Sequence, residues 1–229
     1  MMPSMAAQPI LILGTGGNAI DILDTLLCLN RTGTEAFWEP RGFLDDDPAR
    51  QGTRIHSYPV LGPIEAAMSF PECRLVNGIG SPSSYLGKAA LITRTGASAE
   101  RFATLIHPTA SVSSLARLGL GTVLLQQTVV ASNASVGSHA IILPQSVVSH
   151  DAEVGDFSCI AGGVVLCGGV HVGTSCYIGA GSLIRQGVRV GDGALVGMGA
   201  VVVRDVPPGA TVAGNPARPL ARRPASTLA

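Results

Sequence analysis

Beginning at Ile106, every sixth residue is Ile, Leu or Val: Ile106, Val112, Leu118, Leu124, Val130, Val136, Ile142, Val148, Val154, Ile160, Leu166, Val172, Ile178, Ile184, Val190, Val196 and Val202. Four residues after each stands Ala, Ser, Thr, Val or Cys, from Ala110 to Val206. Gly often follows the aliphatic residue, as at Gly119, Gly137, Gly155, Gly173, Gly179, Gly191 and Gly197. A helix would repeat at 3.6 residues and an ordinary amphipathic strand at 2. A strict six, with one large and one small inward position, predicts a parallel β-helix built from hexapeptides. Three hexads close one triangular coil, so like residues stack every eighteen. Burying one such side chain contributes roughly 1.5–3 kcal/mol, and the sum is set against chain entropy of similar size.

Before Ile106 the period changes. Ile10 to Leu13 is a short apolar run suited to a buried parallel strand. Gly14-Thr15-Gly16-Gly17-Asn18-Ala19 follows as G-x-G-x-x-A, and then Ile20, Leu23, Leu26 and Leu27 recur at helical spacing. A second apolar segment ends at Phe43-Leu44 and runs into Asp45-Asp46-Asp47; a third, Leu75 to Ile79, leads into Gly80-Ser81-Pro82. A helix is expected over 84–94. Strand, glycine turn, helix, strand and acidic residue make the nucleotide-binding half of a Rossmann-like unit. Its glycines let backbone N–H groups approach a phosphate at a helix N-terminus, and the acidic end of the second strand suits a ribose or base. The alternative is a tight strand–helix turn that binds nothing. A dehydrogenase does not fit, because a solenoid follows rather than a catalytic domain. The expected division is an α/β Rossmann-like domain over residues 1–104, a β-helix over 105–219, and a disordered tail over 220–229.

Composition narrows the partners. Lys+Arg and Asp+Glu are balanced at 15 each, which gives no reason to expect nucleic acid or an anionic membrane. The charged fraction, 13%, is about half the usual share. No apolar run reaches the length of a membrane span, and MMPSMAAQP lacks the basic start of a signal peptide. Five cysteines without a CxxC suit reduced thiols in a cytoplasm.

The motifs GTGGNA (Gly14–Ala19), GFLDDD (Gly42–Asp47), GIGSP (Gly78–Pro82), IHPTA (Ile106–Ala110), VSHDAEVGDFS (Val148–Ser158) and VAGNPAR (Val212–Arg218) occur together in one chain. With them the chain, from Ile10 to about Pro219, resembles the bacterial nucleotide-sugar N-acetyltransferases of the bacillosamine and perosamine pathways and the sialic acid O-acetyltransferase-like proteins. The resemblance implies a left-handed β-helix, a homotrimer, and acetyl-CoA in the cleft between neighbouring β-helices. It also implies a nucleotide-activated amino sugar held by the N-terminal domain at Gly14, Thr15, Gly16, Gly17, Asn18, Asp45, Asp46, Gly80 and Ser81.

On that pattern His150 matches the catalytic base and Asp151 its acidic partner. Gly168 matches the position whose N–H meets the thioester, with Gly163, Cys159, Gly214, Pro216, Ala217 and Arg218 along the acetyl-CoA path. The chemistry suits a histidine: an amine attacking a thioester must lose a proton, thiolate leaves readily, and the oxyanion needs a fixed donor. His150 and Asp151 occupy the third and fourth places of their hexad, between inward Val148 and Ala152, and should project outward. The chain departs from the pattern at Asn18 and Cys159, where many relatives carry histidine, and at Leu143, often asparagine.

Other readings compete. His150 would be a merely solvated side chain if the motif context were ignored. A metal site of the γ-carbonic-anhydrase kind needs ligands stacked about eighteen apart, and His150 has Ser132 and Gly168 there. His139, His150 and His171 fall at different hexad places. His107 reads as a structural cap, Cys176 as core, and Cys159 as a packed or pocket-lining thiol rather than a nucleophile. Arg218, Arg222 and Arg223 could meet a coenzyme A phosphate or lie in a solvated tail. Sugar O-acetylation and a non-catalytic nucleotide-binding regulatory trimer remain the rival functions.

Overall fold

The computed structural model describes residues 7–32 and 37–220. The expected disordered tail beyond Leu220, with Arg222 and Arg223, lies outside the described residues.

The hexads fold as the period demands. Each aliphatic residue is the second of a two-residue strand, and the strands pair in parallel with those eighteen residues away, as Val130, Val148 and Leu166 do. Three parallel sheets result, making a β-solenoid of the left-handed type with about six turns. All seventeen aliphatic residues join one core, in which Ile106, Val112 and Leu118 are the partly covered members at the first coil. The hexad fails after Val202. Val190 bridges Val206 and Val196 pairs with Val212, intervals of sixteen, so the last coil is two residues short. A short strand at Arg218–Pro219 then turns back antiparallel on Thr211–Ala213.

The outward residues give the three faces different characters. One face carries Leu105, Val123, Ile141 and Cys159, all buried under the N-terminal region. A second carries Ser111, Val129, Val147, Val165, Leu183 and Val201, a nearly continuous apolar stripe with no cover in the single chain. The third carries Arg117, Ser135, Glu153, His171 and Arg189, with His171 Nδ1 and Glu153 Oε2 2.9 Å apart.

Corners are made by a backbone rule that the aliphatic pattern does not reveal. From Gly121 to Gly199, every sixth residue has φ between +49° and +71°. Several of these are not glycine, including Asn133, Gln145, Asp151 and Phe157. Asn and Asp tolerate the left-handed region better than most. The glycines directly after the aliphatic residues serve another purpose. A Cβ on Gly137 would lie 2.6 Å from Asp156 N and 2.9 Å from Gly155 C, so these coils approach too closely for a side chain.

The N-terminal region is a three-stranded parallel sheet with one long helix. Strand β1 (Gln8–Leu13) runs between β2 (Trp38–Leu44) and β3 (Arg74–Asn77). Helix α1 (Gly17–Thr32) buries Ile22, Leu23, Leu26 and Leu29 against the sheet and the covered solenoid face, sharing one core with Leu105, Val123 and Ile141. The helix expected over 84–94 begins later, as α2 (Lys88–Arg94), after a single 3₁₀ turn at Tyr85–Gly87. Lys88 enters the interface fully buried, its Nζ donating to the carbonyls of His139 (3.1 Å) and Ser158 (3.5 Å). Burial pulls its pKa from 10.5 down to about 8.

Candidate active site

The turn after β1 opens a cleft of about 410 Å³. Gly14, with φ +87°, donates its N–H to Leu44 O (2.8 Å), and a Cβ there would strike Ile79 at 2.5 Å. Gly78 in turn leaves no room for a Cβ against Ala19. The two glycine turns therefore interlock, with the start of α1 facing the space between them. Gly14 to Asn18, Asp45, Gly80 and Ser81 all line the cleft. Thr15 Oγ1 donates to Asp45 Oδ2 at 2.5 Å. Asp46 is not among the lining residues: its Oδ1 accepts the Ile64 N–H (3.0 Å) and its Oδ2 pairs with Arg94 (2.9 Å). It organises the neighbouring loop instead. The solenoid supplies part of the wall through Leu143 and Tyr177.

His150 and Asp151 stand at a solenoid corner, two and three residues past Val148. Their side chains are 64% and 57% exposed. His150 Nδ1 lies 2.8 Å from Asp151 Oδ2, while Asp151 Oδ1 accepts a hydrogen bond from Asn133 Nδ2 at 3.1 Å. The bonds from His150 and Asn133, in that order, hold the Asp151 carboxyl below its usual 3.8. With Nδ1–H given to the carboxylate, His150 Nε2 is left as the free acceptor; no partner for it occurs among the described residues. That tautomer follows from the hydrogen bond. The imidazole lies over Gly168, one coil further on: a Cβ there would be 2.5 Å from its Cε1 and 2.6 Å from its Nε2. The Gly168 N–H has no hydrogen-bond partner among the described residues, whereas Gly169 N–H donates to His150 O (3.0 Å).

The period of eighteen would have exposed Asn133, which stands directly beneath Asp151, had it been applied to the polar corner residues. Asn77 was also missed. Buried, it accepts the Ile79 N–H (3.0 Å) and donates to Ile79 O (3.1 Å), which shapes the second glycine turn.

None of the remaining candidates lines this cleft. Cys159 is fully buried, its thiol donating to Gly80 O at 3.3 Å, and burial raises its pKa. In the single chain it offers no surface to a coenzyme. Gly163 is one of the left-handed corners. Gly214, Pro216, Ala217 and Arg218 form the turn that reverses the chain at the solenoid end, where Ala217 N–H donates to Val201 O (2.8 Å) and Arg218 is exposed. His107, buried, bonds Thr109 through Nδ1 (2.8 Å), as a cap would. His139 is packed between Phe157, stacked at 5.3 Å, and the edge of Phe102 at 4.6 Å. Among the described residues no group of three or more His, Cys, Asp or Glu side chains could hold a metal ion, and no helix is long and apolar enough to cross a membrane.

Solved structures share this architecture over almost the whole chain. The acetyltransferase domain of PglB from Neisseria gonorrhoeae, solved in complex with acetyl coenzyme A, is 31% identical with a TM-score of 0.80, covering 94% of this chain and 100% of that one. PerB from Caulobacter crescentus, in complex with CoA and GDP-perosamine, is 30% identical with a TM-score of 0.78, over 95% of this chain and 100% of that one. The chain belongs to the hexapeptide-repeat family of nucleotide-sugar N-acetyltransferases. WeeI from Acinetobacter baumannii, 26% identical with a TM-score of 0.77, covers 94% of this chain and 100% of its own. No protein-family model and no curated protein sequence matches the chain. Of the Caulobacter N-acetyltransferase, a histidine-to-alanine variant has also been captured with CoA and GDP-perosamine. This acetyltransferase keeps its histidine–aspartate pair apart from the cleft between the glycine turns, whose lining does not include His150.

Proposed function

We propose that the protein transfers acetyl from acetyl-CoA to the amine of a nucleotide-linked amino sugar, a 4-amino-4-deoxy sugar destined for a surface glycan. The Rossmann-like N-terminal domain would hold the nucleotide in the cleft between its two glycine turns, with phosphates at the start of α1. The amine attacks the thioester carbonyl, the tetrahedral species passes its nitrogen proton to His150 Nε2, and coenzyme A leaves as thiolate. Asp151 orients the imidazole and stabilises the imidazolium that forms. Gly168, whose N–H has no partner among the described residues, would donate to the oxyanion. The observation that carries this reading is the placement of the imidazole: Nδ1 lies 2.8 Å from Asp151 Oδ2, and the ring rests against Gly168, which has no side chain.

The same geometry supports the expected assembly. His150 lies just past Val147–Val148, at the edge of the apolar face bearing Val129, Val165, Leu183 and Val201. A second copy covering that stripe would form a cleft beside His150 and could bring its own nucleotide domain to the base. A closed homotrimer satisfies this on every subunit. The five unpaired thiols fit a reducing cytoplasm, where acetyl-CoA is found.

The test is coenzyme A release from acetyl-CoA with a panel of UDP-, GDP- and dTDP-linked amino sugars, with sedimentation to establish the trimer. His150→Ala should keep the trimer and nucleotide binding and lose most turnover. Near-full activity in that variant removes His150 from the base role. Release with sugars bearing only hydroxyl acceptors would make the protein an O-acetyltransferase. Nucleotide binding without any release would make it a regulatory binding protein.

A further inference from the structure

Asn18 and Cys159, from two different parts of the chain, converge on one atom. Asn18 Nδ2, at the start of α1, donates to the Gly80 carbonyl oxygen at 3.1 Å. Cys159 Sγ, from the covered solenoid face, donates to the same oxygen at 3.3 Å. A carbonyl has two lone pairs, so both bonds can form together. Gly80 is where the second glycine turn touches the solenoid: a Cβ there would sit 3.3 Å from Cys159 Sγ and 3.5 Å from Ile141 Cδ1. Ile79 on one side of it is held by Asn77, and Ser81 on the other donates its N–H to Ser84 Oγ at 3.0 Å.

The geometry points to Cys159 as a positioning residue for nucleotide-sugar binding: its thiol, together with the Asn18 amide, clamps the Gly78–Pro82 turn that forms one wall of the cleft. Cys159 touches no ligand in this arrangement. It acts through Gly80 and ties the nucleotide-binding turn to the coil that follows the one bearing Leu143. Burial raises the thiol's pKa and keeps it protonated, hence a donor. The same solenoid segment receives Lys88 on Ser158 O, so residues 158 and 159 anchor both the turn and the helix that follows it. The functional part of the inference rests on the nucleotide-sugar reading given above; the clamp itself does not.

The experiment compares Cys159→Val, which keeps apolar bulk and removes the donor, with Cys159→Ser, which keeps a donor and loses bulk. Amide hydrogen exchange is followed at Ile79 and Ser81 in the unliganded protein. Affinities for GDP, UDP and dTDP, and KM values for amino sugar and acetyl-CoA, are measured alongside. In the Val variant exchange should accelerate about threefold to tenfold, as the loss of one hydrogen bond implies. The tightest nucleotide should weaken by a similar factor, KM for the sugar should rise, and KM for acetyl-CoA should stay. The Ser variant should restore most of this. If the Val variant does not fold, Cys159→Ala replaces it with the same expectation. Unchanged exchange in the Val variant, or a worse defect in Ser than in Val, overturns the clamp and leaves Cys159 as packing alone. If the unaltered protein binds none of the three nucleotides while exchange still accelerates in Val, the clamp stands and the nucleotide reading falls.

Discussion

Placing one methyl group on Gly168 tests whether the imidazole position matters to catalysis. The Cβ of Gly168→Ala would lie 2.5, 2.6 and 3.2 Å from Cε1, Nε2 and Nδ1 of His150. Ordinary contact between such atoms is about 3.5–4.0 Å, so the ring must retreat by about 1 Å. Asp151 is not free to follow, because it sits at a left-handed corner with φ +59° and is bonded to Asn133. A 2.8 Å hydrogen bond stretched by that amount ceases to be one. Misplacement on this scale costs on the order of 10²-fold in rate. The fold should scarcely register the change: Gly168 does not need a left-handed backbone, the displaced ring is 64% exposed, and surface substitutions shift stability by about 0.5 kcal/mol or less. Steady-state coenzyme A release at varied acetyl-CoA separates two effects. A displaced base lowers kcat, whereas a blocked acyl site raises KM for acetyl-CoA. A variant with kcat and both KM values within twofold of the parent refutes the argument that Gly168 is small to seat the histidine.

Other perturbations probe the groups that support this arrangement. Asn133→Ala should let the Asp151 carboxyl titrate closer to 3.8; the pair's contribution is present above that pH and is lost as pH falls through the depressed value, and an NMR titration of the carboxyl would show no movement if Asn133 were a bystander. Lys88, with a folded pKa of about 8 against 10.5, binds fewer protons folded than unfolded between those values. The parent protein should therefore gain stability over Lys88→Met as pH rises from 7 to 10, by up to about 3 kcal/mol, and parallel denaturation curves would contradict this. Val148→Asp puts a charge among fully buried neighbours two residues from His150 and should cost more than about 4 kcal/mol, read as a lost or sharply lowered melting transition.

The solenoid was legible because its period is a direct consequence of its cross-section. Three flat sides and three corners per coil allow one side chain inward on each side, and the aliphatic residues from Ile106 to Val202 record that without interruption. The corners were less legible. Their left-handed backbone is met by Gly163 and Gly169 but also by Gln145, Phe157 and Asp151, so residue type alone does not disclose it. The shortened last coil was invisible for a related reason: Val206 looks like one more small inward position until its bridge to Val190 shows it doing the work of an aliphatic one.

Around the candidate site, the motifs named residues that the fold brings together but not the neighbours that hold them. Gly14 to Asn18, Asp45, Gly80 and Ser81 meet in one cleft because glycine turns at the ends of parallel strands must lie side by side. Asp46, adjacent in sequence to Asp45 but beyond the strand end, is claimed by the Ile64 N–H and by Arg94. Cys159 shows the limit most clearly. Its reading as a packed thiol did not say what it packs against; the docking of the N-terminal region supplies Gly80 as the partner. Asn133 was within reach of the same register that ruled out stacked histidines. Asked which side chain lies eighteen residues before Asp151, the sequence answers with the amide that holds the carboxylate toward His150. For a solenoid, then, the chemistry around a candidate base is to be read down the stack as well as along the chain.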